Sequence, residues 1–191
     1  MSTTLHTFIF SAIMLVIISE GAATKQNEEK RYQNIPRPNN ENHKFHNLCL
    51  REHNKYRTKH HVPALKTDPT LYIKARAWAI RLAKWDSTSY VPHEKLHGIG
   101  ENIYWMTYAK KPYSQYAPKA VKYWYDENIY YNYQTGGYSQ HTAHFTQMVW
   151  KSTTRVGCAY AVSTSSTIFV VCKYSPQGNI PHEYQSNVLP P

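Results

Sequence analysis

The sequence predicts an α/β fold in which helices cover both faces of a central, mainly antiparallel sheet. Three segments carry apolar side chains at helical spacing, namely residues 45–60, 69–87 and 117–133. Two segments near the C-terminus, TRVGCAYAV and TIFVVCKYSP, are typical of strands, and the second contains the apolar run IFVV. Because IFVV is apolar on both faces of a strand, the sheet needs helices on both sides.

The N-terminus has the features of a secretory signal. Its apolar core, residues 8–18, is too short to span a bilayer as a helix, and Gly21-Ala22-Ala23 supplies the small residues that precede a cleavage site. We interpret residues 1–23 as a signal peptide, which predicts a secreted, extracellular protein. An uncleaved interfacial anchor is the alternative, because no Lys or Arg precedes the apolar core.

The rest of the chain is predicted to be a leader followed by one basic domain. Residues 24–44 are polar, carry two prolines and show no apolar period, as in a flexible leader. Residues 45–191 are then long enough for a single domain with a sizeable core. The formal net charge of +10 favours anionic partners such as membrane surfaces or acidic glycans. The basic residues are scattered and form no recognition module, so no nucleic acid partner is expected.

The predicted helices have identifiable faces and ends. One apolar stripe runs along the second helix and consists of Leu71, Ala75, Trp78, Ala79 and Leu82. Pro118 stands near the first turn of the third helix, and the Gly136-Gly137 pair follows its end. In the first helix, His53, Asn54 and Arg57 are spaced so that they can join one buried polar network.

The two C-terminal strands predict their own register. If Cys158 faces Cys172, then Tyr160 faces Val170 and Val162 faces Ile168. All six side chains share one face of the sheet. Thr164-Ser165-Ser166 then forms a three-residue turn. This turn lacks the glycine that such loops usually carry at a left-handed position.

The three cysteines fit the same register. In a secreted chain, opposed Cys158 and Cys172 predict a disulfide that closes a loop of about 15 residues and contributes about 3 kcal/mol. Cys49 is left over and lies between Leu48 and Leu50. A buried thiol is therefore expected at Cys49, with an intermolecular bridge as the alternative.

Four motifs occur together in the chain: HNKYR, GEN, AHFTQMVWKSTTRVGCA and FVVCKYSPQGNI. They resemble the CAP superfamily, which comprises the cysteine-rich secretory, antigen 5 and pathogenesis-related 1 proteins (the SCP domain). The ending NVLPP looks most like the Golgi-associated plant-pathogenesis-related branch, and the chain is also similar to venom allergen-like proteins. The resemblance covers residues 45–190 and implies a three-layer α-β-α sandwich. Two positions depart from the pattern, since Ala143 replaces the usual glycine before HFTQ and Lys173 replaces a smaller or neutral residue.

The resemblance also implies a cleft that holds two histidines and two carboxylates. The matching positions are Glu101 in GEN, Glu127 in WYDEN and His144 in HFTQ. The fourth position is His93 or His97, and the usual separation from the glutamate favours His93. Such a group can bind zinc or another divalent cation, or its members can hold one another by hydrogen bonds. No cofactor is expected to be required for folding.

Sterol binding accompanies a loop of spaced aromatic residues in some relatives. Two sets of tyrosines fit that spacing in opposite directions: Tyr108, Tyr113 and Tyr116, and Tyr123, Tyr125 and Tyr130. We take the loop Tyr104–Tyr116 as the candidate wall of a lipid site, because a tyrosine combines an apolar ring with a hydroxyl that can stay hydrated.

The function that the resemblance implies is a secreted, non-enzymatic protein that binds sterols or acyl lipids. The alternative is a metal-assisted hydrolase that would use His93, Glu101, Glu127 and His144. Hydrolysis would also require an open metal position with a general base, or an activated nucleophile. The sequence marks no Ser, Thr or Cys as such a nucleophile, which favours the binding protein.

Overall fold

A computed structural model of the chain describes residues 38–191 together with Tyr32. The predicted signal peptide and most of the predicted leader lie outside the described residues. The elements of residues 38–191 follow in chain order: α1 (Asn40–Lys59), β1 (Lys66–Thr67), α2 (Pro69–Trp85), β2 (Gly100–Met106), α3 (Tyr116–Asp126), α4 (Ala143–Val149), β3 (Arg155–Val162), β4 (Ile168–Ser175) and α5 (Tyr184–Asn187). None of the helices in this part of the chain is both long and apolar enough to cross a bilayer.

The four strands form one sheet in the order β1-β3-β4-β2. The pairs β3–β4 and β2–β4 are antiparallel, whereas the short β1 pairs with β3 in parallel. The sheet is therefore mixed but mainly antiparallel. The β3–β4 register is the predicted one, with Cys158 opposite Cys172 and Val162 opposite Ile168. Strand β2 lies at one edge of the sheet.

Helices cover both faces of the sheet, which confirms the predicted three-layer architecture. The predicted stripe of α2, from Ala75 to Leu82, packs against Ile103, Phe169 and Val171 on one face. Helices α1, α3 and α4 cover the opposite face and build the larger core around Trp124 and Trp150. The alternation of side chains along β4 therefore sends Val171 and Cys172 into different cores.

The β3–β4 turn has no glycine and is stabilised by an aspartate from outside the two strands. Ser166 takes the left-handed conformation at φ 65°. Asp86, which follows the last residue of α2, accepts hydrogen bonds from the Ser165 N–H at 2.9 Å and from the Thr164 hydroxyl at 3.0 Å. Hydrogen bonds from the hydroxyls of Ser163 and Ser165 lower the pKa of Asp86 to about 2, so the carboxylate stays ionised. The end of α2 thus holds the turn.

Two helix boundaries differ from the predicted ones for local reasons. Helix α1 begins at Asn40 rather than near residue 45, because Asn39 and Asn42 form a reciprocal capping box with bonds of 2.9 and 3.1 Å. Helix α3 ends at Asp126, and a 3₁₀ turn replaces the predicted continuation to residue 133. There the Asn128 amide donates to the Tyr125 carbonyl at 2.7 Å, a side-chain bond to the helix end.

The sulfur atoms gather in the larger core. Cys158 and Cys172 are joined by a disulfide, and Cys49 is a buried free thiol. The three sulfur atoms lie within 4.8 Å of one another. Burial raises the pKa of the Cys49 thiol well above its usual value, so Cys49 stays protonated and unreactive in the folded protein.

Arg57 is fully buried and donates to backbone carbonyls from three parts of the chain. Its Nε bonds to Pro63 O at 2.8 Å, and its two terminal nitrogens reach Met148, Trp150 and Thr153 carbonyls at 2.9 Å. Burial lowers the pKa of the guanidinium to about 10, which leaves it charged at neutral pH. Arg57 therefore joins the end of α1 to the end of α4.

A second buried network starts at His53 in α1. The His53 Nδ1–H donates to the Cys49 carbonyl at 2.8 Å, so its Nε2 accepts the Tyr174 hydroxyl at 2.7 Å. The Tyr174 oxygen in turn accepts from the Asn102 amide at 3.3 Å. This chain of bonds requires a neutral imidazole, and burial lowers the pKa of His53 to about 4.

Replacement of Gly157 by Ala is expected to destabilise the fold strongly. An added Cβ would lie 2.0 Å from the Tyr72 N and 2.3 Å from the Leu71 carbonyl carbon, both backbone atoms of α2. Backbone atoms cannot give way as a side chain can, so we expect a loss of about 3 kcal/mol or more in urea unfolding. Gly98→Ala is the control, because nothing lies within 4 Å and only its left-handed φ of 71° should cost about 1–2 kcal/mol. Equal losses would contradict the close approach of α2 to β3.

The buried His53 predicts loss of stability in mild acid. The unfolded chain protonates this histidine near pH 6.5, whereas the folded protein does so only near pH 4. Stability from the neutral ring is therefore complete above pH 6.5 and falls as the pH drops through 4, by about 3 kcal/mol in total. Urea unfolding at pH 7 and pH 4.5 measures this slope, and His53→Gln should flatten it. The exposed control His97→Gln should keep the parental slope, and a slope unchanged in His53→Gln would contradict the assignment.

Candidate functional site

The structure brings the four predicted site residues together as two histidine–glutamate pairs. The His93 Nδ1–H donates to Glu101 Oε1 at 2.6 Å, and the His144 Nδ1–H donates to Glu127 Oε1 at 2.7 Å. His93, rather than His97, is thus the histidine that contacts Glu101, and His97 is exposed. In both pairs the carboxylate fixes the imidazole through Nδ1, which presents Nε2 as the nitrogen for a ligand.

In the pair His144–Glu127, the carboxylate also caps helix α4. Its Oε2 accepts the backbone N–H groups of His144 at 3.0 Å and Phe145 at 3.1 Å. The N-cap residue Thr142 makes no side-chain cap bond of its own, so a carboxylate from the 3₁₀ turn after α3 satisfies these donors. The indole of Trp124 stacks on the His144 ring at 6.3 Å and 17°. His144 is therefore held by its ring, its backbone and its neighbouring indole.

In the pair His93–Glu101, the carboxylate belongs to a buried ionic group. Its Oε1 also accepts the Glu94 N–H at 3.1 Å, and its Oε2 lies 2.5 Å from Lys173 Nζ. The same ammonium lies 2.9 Å from Glu94 Oε2. Lys173 is fully buried, and its Nζ is 5.9 Å from the centre of the Trp78 ring on α2. Sequence reasoning noted Lys173 as a departure but did not predict that it joins the site residue Glu101 to Glu94.

Glu101 and Asn102 lie on opposite faces of the end of β2. Glu101 shares its face with Ile103 and points toward α2, whereas Asn102 points toward α3 and α4. The Asn102 amide donates to the His144 carbonyl at 3.0 Å and so links the two faces. Among the residues the structure describes, only the three sulfur atoms form a set of three His, Cys, Asp or Glu ligand atoms within 4.8 Å. The predicted tetrad is therefore two separate pairs and not a compact metal cage.

A cleft of about 390 Å³ opens beside β2 on the side of His144. It is lined by Ile103, Tyr104, Trp105, Met106, Tyr123 and His144. Trp105 is 43% exposed and Tyr123 is 60% exposed, although both are large and apolar in part. Sequence reasoning did not find this cleft, because adjacent large residues such as Trp105 and Met106 can also pack into the two cores on opposite faces of a sandwiched sheet.

The predicted tyrosine loop is not the wall of this cleft as a whole. Tyr108 is 83% exposed, whereas Tyr116 is buried and its hydroxyl accepts the Lys110 N–H at 2.9 Å. Tyr113 is half-buried and packs against Tyr160 at 5.7 Å. Of the tyrosines in the predicted loop, only Tyr104 lines the cleft, where its ring packs against Tyr123 at 5.5 Å.

Comparisons with known proteins agree with the motifs. The human Golgi-associated plant pathogenesis-related protein 1 is 38% identical over 149 residues, which cover 77% of this chain and 94% of that protein. Secreted protein PRY1 from Candida albicans is 34% identical over 149 residues, which cover 76% of this chain and 32% of that protein. The chain therefore spans nearly all of the first relative and about a third of the second.

Solved structures show the same fold at lower identity. BmVAL-1 superposes with a TM-score of 0.64 at 24% identity and covers 78% of this chain and 84% of its own. A crystal structure of NaASP2 with Zn²⁺ superposes with a TM-score of 0.61 at 22% identity and covers 82% of this chain and 92% of its own.

The family model described as "CAP: Cysteine-rich secretory protein family" matches residues 50–174, which include the second half of α1, all of the sheet except Ser175, and both histidine–glutamate pairs. With that match and the 38% identity to a relative covered almost end to end, the chain belongs to the CAP family.

Proposed function

We propose that this protein is a secreted, non-enzymatic CAP protein that binds a sterol or another amphiphilic lipid in the cleft beside β2. The cleft itself carries the proposal. Its volume of about 390 Å³ lies in the range of roughly 300–1,000 Å³ that is usual for small-molecule sites. Aromatic and aliphatic side chains form most of its lining, and the imidazole of His144 is the strongest polar group among them.

The polarity of the cleft matches a ligand with one polar end. Glu127 holds His144 through Nδ1, so Nε2 can accept a hydroxyl or bind a carboxylate when protonated. The rings of Trp105 and Tyr123 would cover the hydrocarbon part of such a ligand and lose their contact with water. Lys173 with its two glutamates, by contrast, offers no apolar surface, and hydrocarbon there would have to displace buried charges.

Exposed lysines on the same elements as the cleft residues, or directly after them, support an anionic membrane as the source of lipid. Lys110 and Lys111 follow β2, and Lys119 and Lys122 lie on α3 with Tyr123. All four lysines are exposed. Exposed aromatic rings with neighbouring lysines are the combination that favours the interface of an anionic bilayer. Secretion is supported by the N-terminal segment and by the Candida albicans relative named as a secreted protein.

Substitutions in the cleft wall are expected to reduce lipid binding. Trp105→Ser and Tyr123→Ser should each weaken binding of radiolabelled cholesterol by about tenfold or more, because each removes a ring that would be buried by the ligand. Trp85→Ser and Tyr90→Ser are matched controls, since both rings are exposed and lie outside the cleft. A pull-down with the secreted protein measures all five proteins, the parent included.

The result can contradict the proposal in two ways. If cleft and control variants lose cholesterol equally, binding does not depend on this site. If neither the parent nor any variant retains cholesterol or a fatty acid such as palmitate, the lipid-binding function itself is wrong, and a screen for zinc-dependent hydrolysis becomes the next experiment.

The histidine–glutamate pairs also support a zinc site. A carboxylate on Nδ1 with Nε2 left for the metal is the arrangement found around zinc-bound histidines. Zinc would supply a Lewis acid if bound, and the residues of this chain fit it by donor type. Since the four residues form two separate pairs, we propose that zinc binds through an imidazole nitrogen with exchangeable ligands rather than in a closed structural site.

Zinc affinity is expected to depend on His144 and on pH. His144→Gln should lower the zinc affinity measured by calorimetry at pH 7.5 by about tenfold or more, because it removes the metal-binding nitrogen. The parental affinity should fall at pH 5.5, where protons compete for imidazole nitrogens. His97→Gln is the control and should behave as the parent. Equal zinc affinity in His144→Gln and the parent would show that zinc does not bind at this pair.

A further inference from the structure

Three sulfur atoms from three different elements meet in the larger core. Cys49 lies on α1, Cys158 on β3 and Cys172 on β4, and their Sγ atoms are within 4.8 Å of one another. All three residues are fully buried. In the oxidised protein Cys158 and Cys172 form a disulfide, so Cys49 adds a free thiol beside that bond. Reduction of the disulfide would therefore leave three thiols next to one another.

The spacing of these sulfur atoms suits one atom bound to all three. A trigonal centre with bonds of about 2.3 Å, the length of zinc–sulfur bonds, holds its sulfur atoms about 4 Å apart. The three Sγ atoms already lie within 4.8 Å, so such a centre requires only small movements of the side chains once the disulfide is open. Sulfur ligands bind soft, thiophilic elements in preference to hard cations. The cluster is thus suited to a soft ion.

Charge decides which soft ion fits. Burial, and after it the negative charge of Glu52, raises the pKa of the Cys49 thiol well above its usual value. The same two causes would destabilise a complex with net negative charge in this core. Three thiolates around zinc or copper(I) form an anionic complex, whereas three thiolates around trivalent arsenic form a neutral one. A neutral complex can replace three neutral thiols in an apolar core without burying a charge.

We infer that the reduced protein binds trivalent arsenic through the sulfur atoms of Cys49, Cys158 and Cys172. A phosphine reductant first converts the disulfide into two thiols, and the phosphine takes the oxygen of one water to become a phosphine oxide. Arsenous acid, As(OH)₃, then exchanges its hydroxyls for sulfur. Three As–O and three S–H bonds break, three As–S bonds form, and three waters leave.

The disulfide and the arsenic compete for the same sulfur atoms. The oxidised protein therefore lacks this site, and the redox state of Cys158 and Cys172 controls it. The inference does not depend on the proposed lipid cleft or on zinc at His144, because neither uses a cysteine.

The test loads arsenic during refolding, so that access to the buried core is not limiting. The full chain is unfolded in urea, reduced with a phosphine and refolded without oxygen, with and without sodium arsenite. The intact mass of the folded complex should show the gain of one arsenic and the loss of three hydrogens, which is the signature of three As–S bonds. Arsenite should also raise the urea midpoint of the reduced protein, by mass action on the folded state. Oxidised protein should show neither change.

The variant Cys49→Ala assigns the third ligand. It should weaken arsenite binding by about tenfold or more in competition with dithiothreitol, because one As–S bond is lost. Methylarsonous acid has only two exchangeable hydroxyls, so its affinity should change by less than about twofold. Val170→Ala is the matched control, since it shortens a fully buried side chain of the same core without removing sulfur. Its arsenite affinity should stay within about twofold of the parent.

Three results would overturn the inference. The first is a parental complex whose mass shows arsenic on two sulfur atoms with one hydroxyl retained. The second is equal arsenite affinity in the parent and in Cys49→Ala. The third is a reduced chain that lacks the near-ultraviolet circular dichroism of the folded protein even with arsenite present, because a site formed by the fold must favour folding when it is filled.

Discussion

The buried guanidinium of Arg57 is the interaction on which the arrangement of the site depends. It satisfies carbonyls at the end of α4 and in the segment before β3, and it ties both to the loop after α1. Met148 and Trp150 lie at the C-terminal end of α4, where helix carbonyls lack intrahelical partners. Since the last turn of α4 is fixed by Arg57 and its first turn by Glu127, the short helix that carries His144 is held at both ends.

Each glutamate of the site has a structural role that accounts for a carboxylate at its position. Glu127 is the cap of α4, and Glu101 is one partner of a buried lysine. A buried carboxylate must be stabilised by hydrogen bonds or by a cation. Glu127 accepts hydrogen bonds from the backbone, and Glu101 is paired with a cation. The imidazole is the member of each pair that can bind a ligand, because Nδ1 is bonded to the carboxylate and Nε2 is left for the ligand.

Local patterns in the sequence predicted the layers, the β3–β4 register and the buried sulfur atoms, because each depends on side-chain alternation within a few residues. The features that were missed join residues distant in the chain. Asp86 stabilises the turn that lacks a glycine, although it lies 79 residues before Ser165 in the chain. Likewise, the cleft exists because β2 is the edge strand, and strand order cannot be inferred from the composition of β2. Lys173 was visible as an unusual residue, but its meaning required the positions of Glu94 and Glu101.

Strand alternation at the end of β2 separates two kinds of chemistry by one residue. Glu101 faces the buried charges under α2, and Asn102 faces the network that leads to His144 and His53. The apolar cleft lies at the open edge of β2, where Ile103 and Trp105 come from the face of Glu101 and Tyr104 from the face of Asn102. A ligand in the cleft would contact the half of the site that is held by hydrogen bonds to neutral groups. Glu101 is paired with the buried Lys173, so this carboxylate keeps its own counter-ion whether or not the cleft is filled.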